Sequence, residues 1–202
     1  PLLHSTSNQR KTMEVGYRAW FHHLTPDGRP YISSVSADYI WRNNTVSTDP
    51  PKLGFKQSDV NLAIGGVVPD LGFFSYKSLD TLLTDEEGDL AKAKVIGVVL
   101  PFGKRISHEF GYRSEHCQIL GFANHMTCSW GWCESPADTV HYTPGRGEHN
   151  LLCVCYAHSM EEGMVVNTTQ MSAPEYLKKL SDRYECDLMS LSEMKGLQNG
   201  NR

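Results

Sequence analysis

The sequence contains no apolar run long enough to cross a membrane. Its longest apolar run covers residues 95–101, which is the length of one β-strand, whereas a membrane-spanning helix needs about 20 apolar residues. Residues 1–13 are polar and lack the apolar stretch of a secretory signal. We therefore expect a cytoplasmic protein in a reducing compartment, where cysteines bind metals more often than they form disulfides.

An excess of positive charge is also missing. The 202 residues include 19 Lys and Arg against 23 Asp and Glu, which gives a net charge of -4 at pH 7. A protein that binds nucleic acid mainly by electrostatics is normally basic. The composition therefore favours a protein partner over nucleic acid, predicts no membrane partner, and leaves the oligomeric state open.

The common catalytic motifs are absent from the chain. It has no phosphate-binding glycine loop, no nucleophile elbow and no His-Glu-x-x-His motif. The glycine pair at residues 65–66 lacks the neighbouring Lys or helix start that a phosphate loop needs. We therefore expect a protein without its own catalysis, with an enzyme as the alternative.

Cysteine and histidine, by contrast, are concentrated in one stretch. Cys128 and Cys133 form one short cluster, and Cys155 and His158 form a second cluster farther along the chain. Two clusters of soft ligands separated by a loop are typical of a tetrahedral zinc site. Because the protein supplies all four ligands, the pattern predicts a structural rather than a catalytic Zn²⁺.

Two alternatives to this ligand set stay open. In a strand, the side chain of Cys153 points the same way as that of Cys155 and could replace it. The turn Cys-Tyr-Ala-His favours Cys155, because it brings that residue close to His158. Buried free thiols or a disulfide would also explain the cysteines.

The apolar pattern predicts an α+β fold with a mainly antiparallel sheet. Alternation of apolar and polar residues predicts strands over 16–24, 31–35, 94–100 and 111–120. Ser172 and Glu175 have the spacing of a capping box ahead of an amphipathic C-terminal helix.

Changes in composition along the chain predict four regions. The clearest change falls near residue 121, where alternation gives way to Cys, Trp and Gly. The regions are a flexible leader at 1–13, a β-rich α+β domain at 14–120, a zinc-binding module at 121–165, and a C-terminal helix and tail at 166–202.

Titratable residues at 108–116 offer the main alternative site. This stretch contains two His, two Glu and one Arg. Glu115 could act as a general base there, and Arg18 on the first strand could bind a phosphate. A solvated turn with ion pairs explains the same residues.

A pair of histidines and a pair of tryptophans give predictions about burial and exposure. His22 and His23 are neighbours on a strand and face opposite ways, so we expect one half-buried and one exposed ring. Trp130 and Trp132, with the loop at 145–149, form either an exposed recognition tip or a layer packed around the metal.

Two family resemblances extend these expectations. Residues 16–20 (GYRAW), Trp41, residues 111–113 (GYR) and the final Cys/His cluster resemble an uncharacterised group of small bacterial and phage proteins with a C-terminal zinc module. Residues 71–78 (LGFFSYKS) are similar to a segment of ADP-ribosyltransferases of the poly-ADP-ribose polymerase type. That second resemblance implies an NAD-dependent enzyme that uses Arg18 and Glu115.

The sequence as a whole predicts a zinc-stabilised, macromolecule-binding protein with a regulatory or interaction role. One alternative is an NAD-dependent enzyme similar to ADP-ribosyltransferases. A second is a structural component of a viral assembly, in which the polar leader is an arm that orders only on assembly.

Overall fold

The computed structural model describes residues 14–35, 40–47, 72–84, 95–107, 109–130, 133–142, 151–160 and 169–198. In this part of the chain the fold is α+β with a mainly antiparallel sheet, as the sequence predicts. The strands are β1 Gly16–Leu24, β2 Pro30–Ser34, β3 Ile40–Trp41, β4 Thr45–Ser47, β5 Phe73–Tyr76, β6 Val95–Ser107, β7 Gly111–Ala123, β8 Thr139–Tyr142, β9 Leu151–Val154, β10 Thr169–Ser172 and β11 Asp187–Met189. The helices are α1 Leu79–Thr84, α2 Tyr156–Ser159, α3 Ala173–Tyr184 and α4 Leu191–Gln198.

The long hairpin of β6 and β7 organises the larger sheet. β6 pairs with β1 and β7, while β5 pairs with β1 and β7 from the other side, so these four strands form a closed ring of pairings. All pairings in this sheet are antiparallel except that of β11 with β7. β6 continues beyond the strand predicted at 94–100, and its pairing with β7 has register shifts between Val98 and Val99 and between Phe102 and Arg105.

The larger sheet is covered on both faces. One face carries a core that includes Trp20, Trp41 and Phe122. The Trp20 ring meets the other two edge to face, with its centroid 5.4 Å from that of Trp41 and 5.7 Å from that of Phe122. On the opposite face, Tyr17 packs with Leu79 and other residues of α1 and with residues of α4. Both faces of β1 are therefore buried.

A smaller sheet of β10, β8 and β9 packs against the first face. Val140 and Cys153 from this sheet belong to the same buried cluster as Trp20, together with residues of α3. β7 runs through residues 120 and 121, where the sequence analysis placed its clearest boundary.

Helix α3 begins where its sequence predicts. The Ser172 hydroxyl accepts a hydrogen bond from the Glu175 amide at 3.2 Å, which caps the first turn. Glu185 ends the helix with a left-handed φ of 49°. Helix α4 extends through residue 198, and Ser190 and Glu193 cap its first turn reciprocally.

The turn between β1 and β2 also follows from its residues. Gly28 adopts a φ of 80°, which a residue without Cβ accepts at little cost, and the Thr25 amide donates to the Arg29 carbonyl at 2.9 Å. Among the described residues, no helix is long and apolar enough to span a membrane.

Candidate metal centre

Three short segments bring the predicted ligands together. Cys128 and Cys133 follow β7, Cys155 lies between β9 and α2, and His158 lies on the single turn of α2. The ligand atoms of these four residues all lie within 4.8 Å of one another. The structure thus assembles all four predicted ligands into one cluster that could hold a metal ion.

Backbone hydrogen bonds fix the first pair of cysteines. The Cys128 amide donates to the Ser135 carbonyl at 2.9 Å, and the Cys133 amide closes a turn on the Trp130 carbonyl at 3.0 Å. The Ser129 amide donates to the Cys153 carbonyl at 2.7 Å, which ties this loop to β9. The second pair, Cys155 and His158, is brought together by α2, which begins directly after Cys155 and contains His158.

The separations between ligand atoms fit a four-coordinate ion. His158 Nδ1 lies 3.4 Å from Cys128 Sγ and 3.3 Å from Cys155 Sγ, and Cys133 Sγ lies 3.9 Å from Cys155 Sγ. Bonds of about 2.0–2.3 Å to a tetrahedral ion imply ligand separations of roughly 3.5–3.8 Å. All six cysteines are free thiols, so the 3.9 Å sulfur pair is not a disulfide.

The environment of the cysteines differs from one to the next. Burial raises the pKa of Cys128, and backbone hydrogen bonds from Cys155 and Trp130 act against that rise. At Cys133, a backbone hydrogen bond from Ser135, reinforced by the Ser135 hydroxyl, lowers the pKa to about 7. Donors aimed at sulfur favour the thiolate, which is the form that binds a metal. Ser135 is not among the residues predicted from the sequence. The feature of the sequence that could have indicated its role is its position two residues after Cys133.

Trp130 lies directly against the histidine of the cluster. Its ring stacks on the His158 ring with centroids 5.7 Å apart and planes 28° from parallel. The indole is nevertheless 39% exposed. One face of the Trp130 ring therefore packs on the ring of His158, while another part of the indole meets solvent. Its role in recognition stays a prediction. Trp132 and the loop at 145–149 lie outside the described residues.

Cys153 has a separate environment in the core. It is fully buried, and its Sγ lies 3.5 Å from His22 Nε2. Burial raises the pKa of its thiol to about 12. Of the two cysteines, the structure therefore places Cys155 and not Cys153 in the cluster with Cys128, Cys133 and His158.

The predicted exposure of His22 and His23 is wrong. Both rings are buried, because β1 is covered on both faces. His22 meets Tyr176 at 5.4 Å, while His23 stacks on Tyr31 at 4.8 Å and its Nε2 lies 2.7 Å from Ser33 Oγ.

Arg18 occupies an interior position on β1. Its guanidinium donates to the Phe74 carbonyl and to Ser34 Oγ, and it lies 5.3 Å from the centre of the Trp41 ring. Burial lowers the pKa of Arg18 to about 10. At neutral pH it is therefore a buried cation whose hydrogen bonds go to protein groups.

Glu115 lies on the β6–β7 hairpin. Its carboxylate accepts a hydrogen bond from the Lys104 amide at 2.7 Å and lies 4.0 Å from His116 Nε2. No hydrogen bond or ion pair joins it to Arg18 in the described part of the chain. His108, the first member of that titratable cluster, lies outside the described residues.

Comparisons with protein families, with curated proteins and with solved structures give no match. What the fold and site define is an α+β protein with a Cys₃His cluster of metal-binding geometry. Its function has to be inferred from that cluster and its surroundings.

Proposed function

We propose that the protein is a zinc-stabilised, macromolecule-binding protein without catalysis of its own. The observation that carries this proposal is the convergence of Cys128, Cys133, Cys155 and His158, with ligand atoms within 4.8 Å of one another. The other steps concern which metal the cluster takes, what the metal does, and what the surrounding surface offers.

The ligand set favours zinc among the common metals. Three thiolates and one imidazole are soft and borderline donors, which suit Zn²⁺ better than Mg²⁺ or Ca²⁺, whose ligands are oxygens. Tetrahedral sites of this composition are typical of structural zinc.

The metal has a structural task because the described residues around it form only a small apolar core. In that part of the chain, the buried cluster around the ligands consists of Cys128, Val154 and Cys155, with Cys133 and Leu152 packed beside it. Two of the three buried members are themselves ligands. Metal binding free energy is folding free energy in such a segment. Four protein ligands also leave no open position for a substrate.

An interaction role is supported by the surface beside the ligands. Trp130, Tyr156 and Met160 are exposed next to the cluster, and exposed apolar groups of this size are characteristic of binding surfaces. A rigid, metal-held scaffold suits such a surface, because little conformational freedom is lost when a partner binds.

Metal content is the direct test of this proposal. Purified without a chelator, the protein should contain one zinc per chain by elemental analysis. Cys133→Ser should lose the zinc, because it removes a ligand. Cys186→Ser is the matched control: Cys186 is also half-buried but lies outside the cluster, so this variant should keep one zinc. A wild-type protein without metal, or a Cys133→Ser protein with full zinc, would overturn the proposal.

A further inference from the structure

The negative charge of the chain is concentrated in the segment that carries the metal centre. Residues 121–165 contain five Asp and Glu and one Arg, whereas the rest of the chain contains 18 acidic and 18 basic residues. The whole net charge of -4 therefore belongs to this segment. Three thiolates around a divalent zinc add one further negative charge to it.

Apolar exposure is concentrated at the same place. Among the large apolar side chains that the structure describes as exposed, Tyr156 and Met160 have the largest exposed fractions, at 71% and 68%. They are four positions apart across the single turn of α2, so they share one face of it. Trp130 stacks on His158, which lies two positions from each of them and therefore faces away from the side that they share.

Carboxylates flank these exposed side chains. Glu134 is exposed one residue beyond the ligand Cys133. Asp138 is exposed as well, and its Oδ2 accepts a hydrogen bond from the Tyr156 amide at 2.7 Å. The surface therefore combines an aromatic face, a flexible thioether and carboxylates within a segment of net negative charge.

We propose that this surface, formed by Glu134, Asp138, Tyr156 and Met160, docks a basic segment of a partner protein. An Arg or Lys side chain gains from both features, since its charged head meets a carboxylate or an aromatic face and its stem packs on apolar atoms. The negative field of the segment accelerates encounters with a basic partner and repels acidic ones, including nucleic acids. This inference rests on the proposed function, because the zinc holds the surface in place.

The test measures the binding of labelled probes to the zinc-loaded protein by fluorescence anisotropy. The probes are a short peptide of alternating Arg and Gly, the same peptide with Glu in place of Arg, and a short oligothymidylate. We expect the Arg peptide to bind most tightly and to weaken as salt is added. Equal binding of the Glu peptide, tighter binding of the oligothymidylate, or no binding of the Arg peptide would overturn the inference.

Two matched pairs of variants locate the binding. Tyr156→Ala should weaken binding of the Arg peptide about threefold, as loss of an exposed cation–π contact predicts, whereas Phe110→Ala, at another exposed aromatic, should not. Glu134→Lys should weaken binding more than Glu109→Lys, which changes the net charge equally on the remote β6–β7 hairpin. Equal effects within either pair would contradict the assignment of the surface.

Zinc content is measured on every variant of this series. A wild-type protein with one zinc that binds no Arg peptide would refute the basic partner and leave the proposed function standing. A protein without zinc would refute the proposed function itself.

Discussion

The larger sheet and the segment that carries the four candidate ligands (the Cys/His segment, residues 128–158) are held together in different ways. The cluster on one face of the sheet contains 20 buried residues, among them Trp20, Trp41 and Tyr184. Among the described residues, the cluster around the candidate ligands contains three buried residues, two of which are cysteines of the arrangement that could hold a metal ion. The first region can fold by burying apolar area, and we propose that the second depends on a bound metal to bring its segments together.

The largest expected effect comes from substituting Cys153 and Cys155 separately. Cys155→Ser should abolish zinc binding and unfold the Cys/His segment, since structural zinc in small domains contributes about 10–16 kcal/mol of apparent binding free energy. Cys153→Ser should keep one zinc per chain, because Cys153 lies in the core against His22. Elemental analysis of both variants measures the difference, and equal zinc contents would contradict the assigned ligand set.

A second test breaks the apolar core of the sheet and leaves the metal centre in place. Trp20→Ala should lower the free energy of unfolding by about 3–5 kcal/mol, because Trp20 is fully buried between Trp41 and Phe122. Phe21→Ala is the control, because Phe21 is the neighbour of Trp20 in sequence and its side chain is 41% exposed. This substitution should change the free energy of unfolding by less than about 0.5 kcal/mol. Denaturant unfolding followed by circular dichroism gives both values, and a variant that still folds should retain its zinc.

A smaller effect should follow from a single buried hydroxyl. Tyr184 accepts a hydrogen bond from the Ile32 amide and donates one to the Trp41 carbonyl, so it joins α3 to β2 and β3. Tyr184→Phe leaves both backbone groups without this partner and should cost about 1–3 kcal/mol in unfolding measurements. Tyr156→Phe is the control, because that side chain is mostly exposed. A loss of zinc from Tyr184→Phe would mean that the two regions are more tightly coupled than proposed.

The smallest effect concerns a turn that depends on neither core nor metal. Hydrogen bonds from Arg29 and then Thr25 lower the pKa of Asp27 from 3.8 to about 2. A lowered pKa in the folded state means that this local stabilisation is complete above pH 3.8 and is lost as the pH falls through about 2. NMR titration of Asp27 should show this value, and Arg29→Ala should move it back toward 3.8. Removing zinc should leave the titration unchanged.

The sequence predicts most of what is local in this structure. Regular alternation marks β1, the Pro and Gly residues mark the turn that follows it, and the capping box marks α3. The four candidate metal ligands are also predictable, because soft thiolate and imidazole side chains at this spacing are typical of zinc sites.

Long-range packing is what the sequence does not reveal. The His22 ring packs against Tyr176 of α3, and the His23 ring stacks on Tyr31, its cross-strand neighbour in β2. The position of Arg18 likewise depends on strands far away in sequence, since its hydrogen bonds reach Phe74 and Ser34. A local pattern indicates that a strand has two faces, but it does not say what packs against each.

Hydrogen exchange with and without a chelator tests most directly whether zinc holds the Cys/His segment. Our account predicts that removing zinc abolishes amide protection around residues 128–130, 133–137 and 153–159, while the amides of β1, β6 and β7 keep theirs. Unchanged protection around the ligands in the metal-free protein would contradict it.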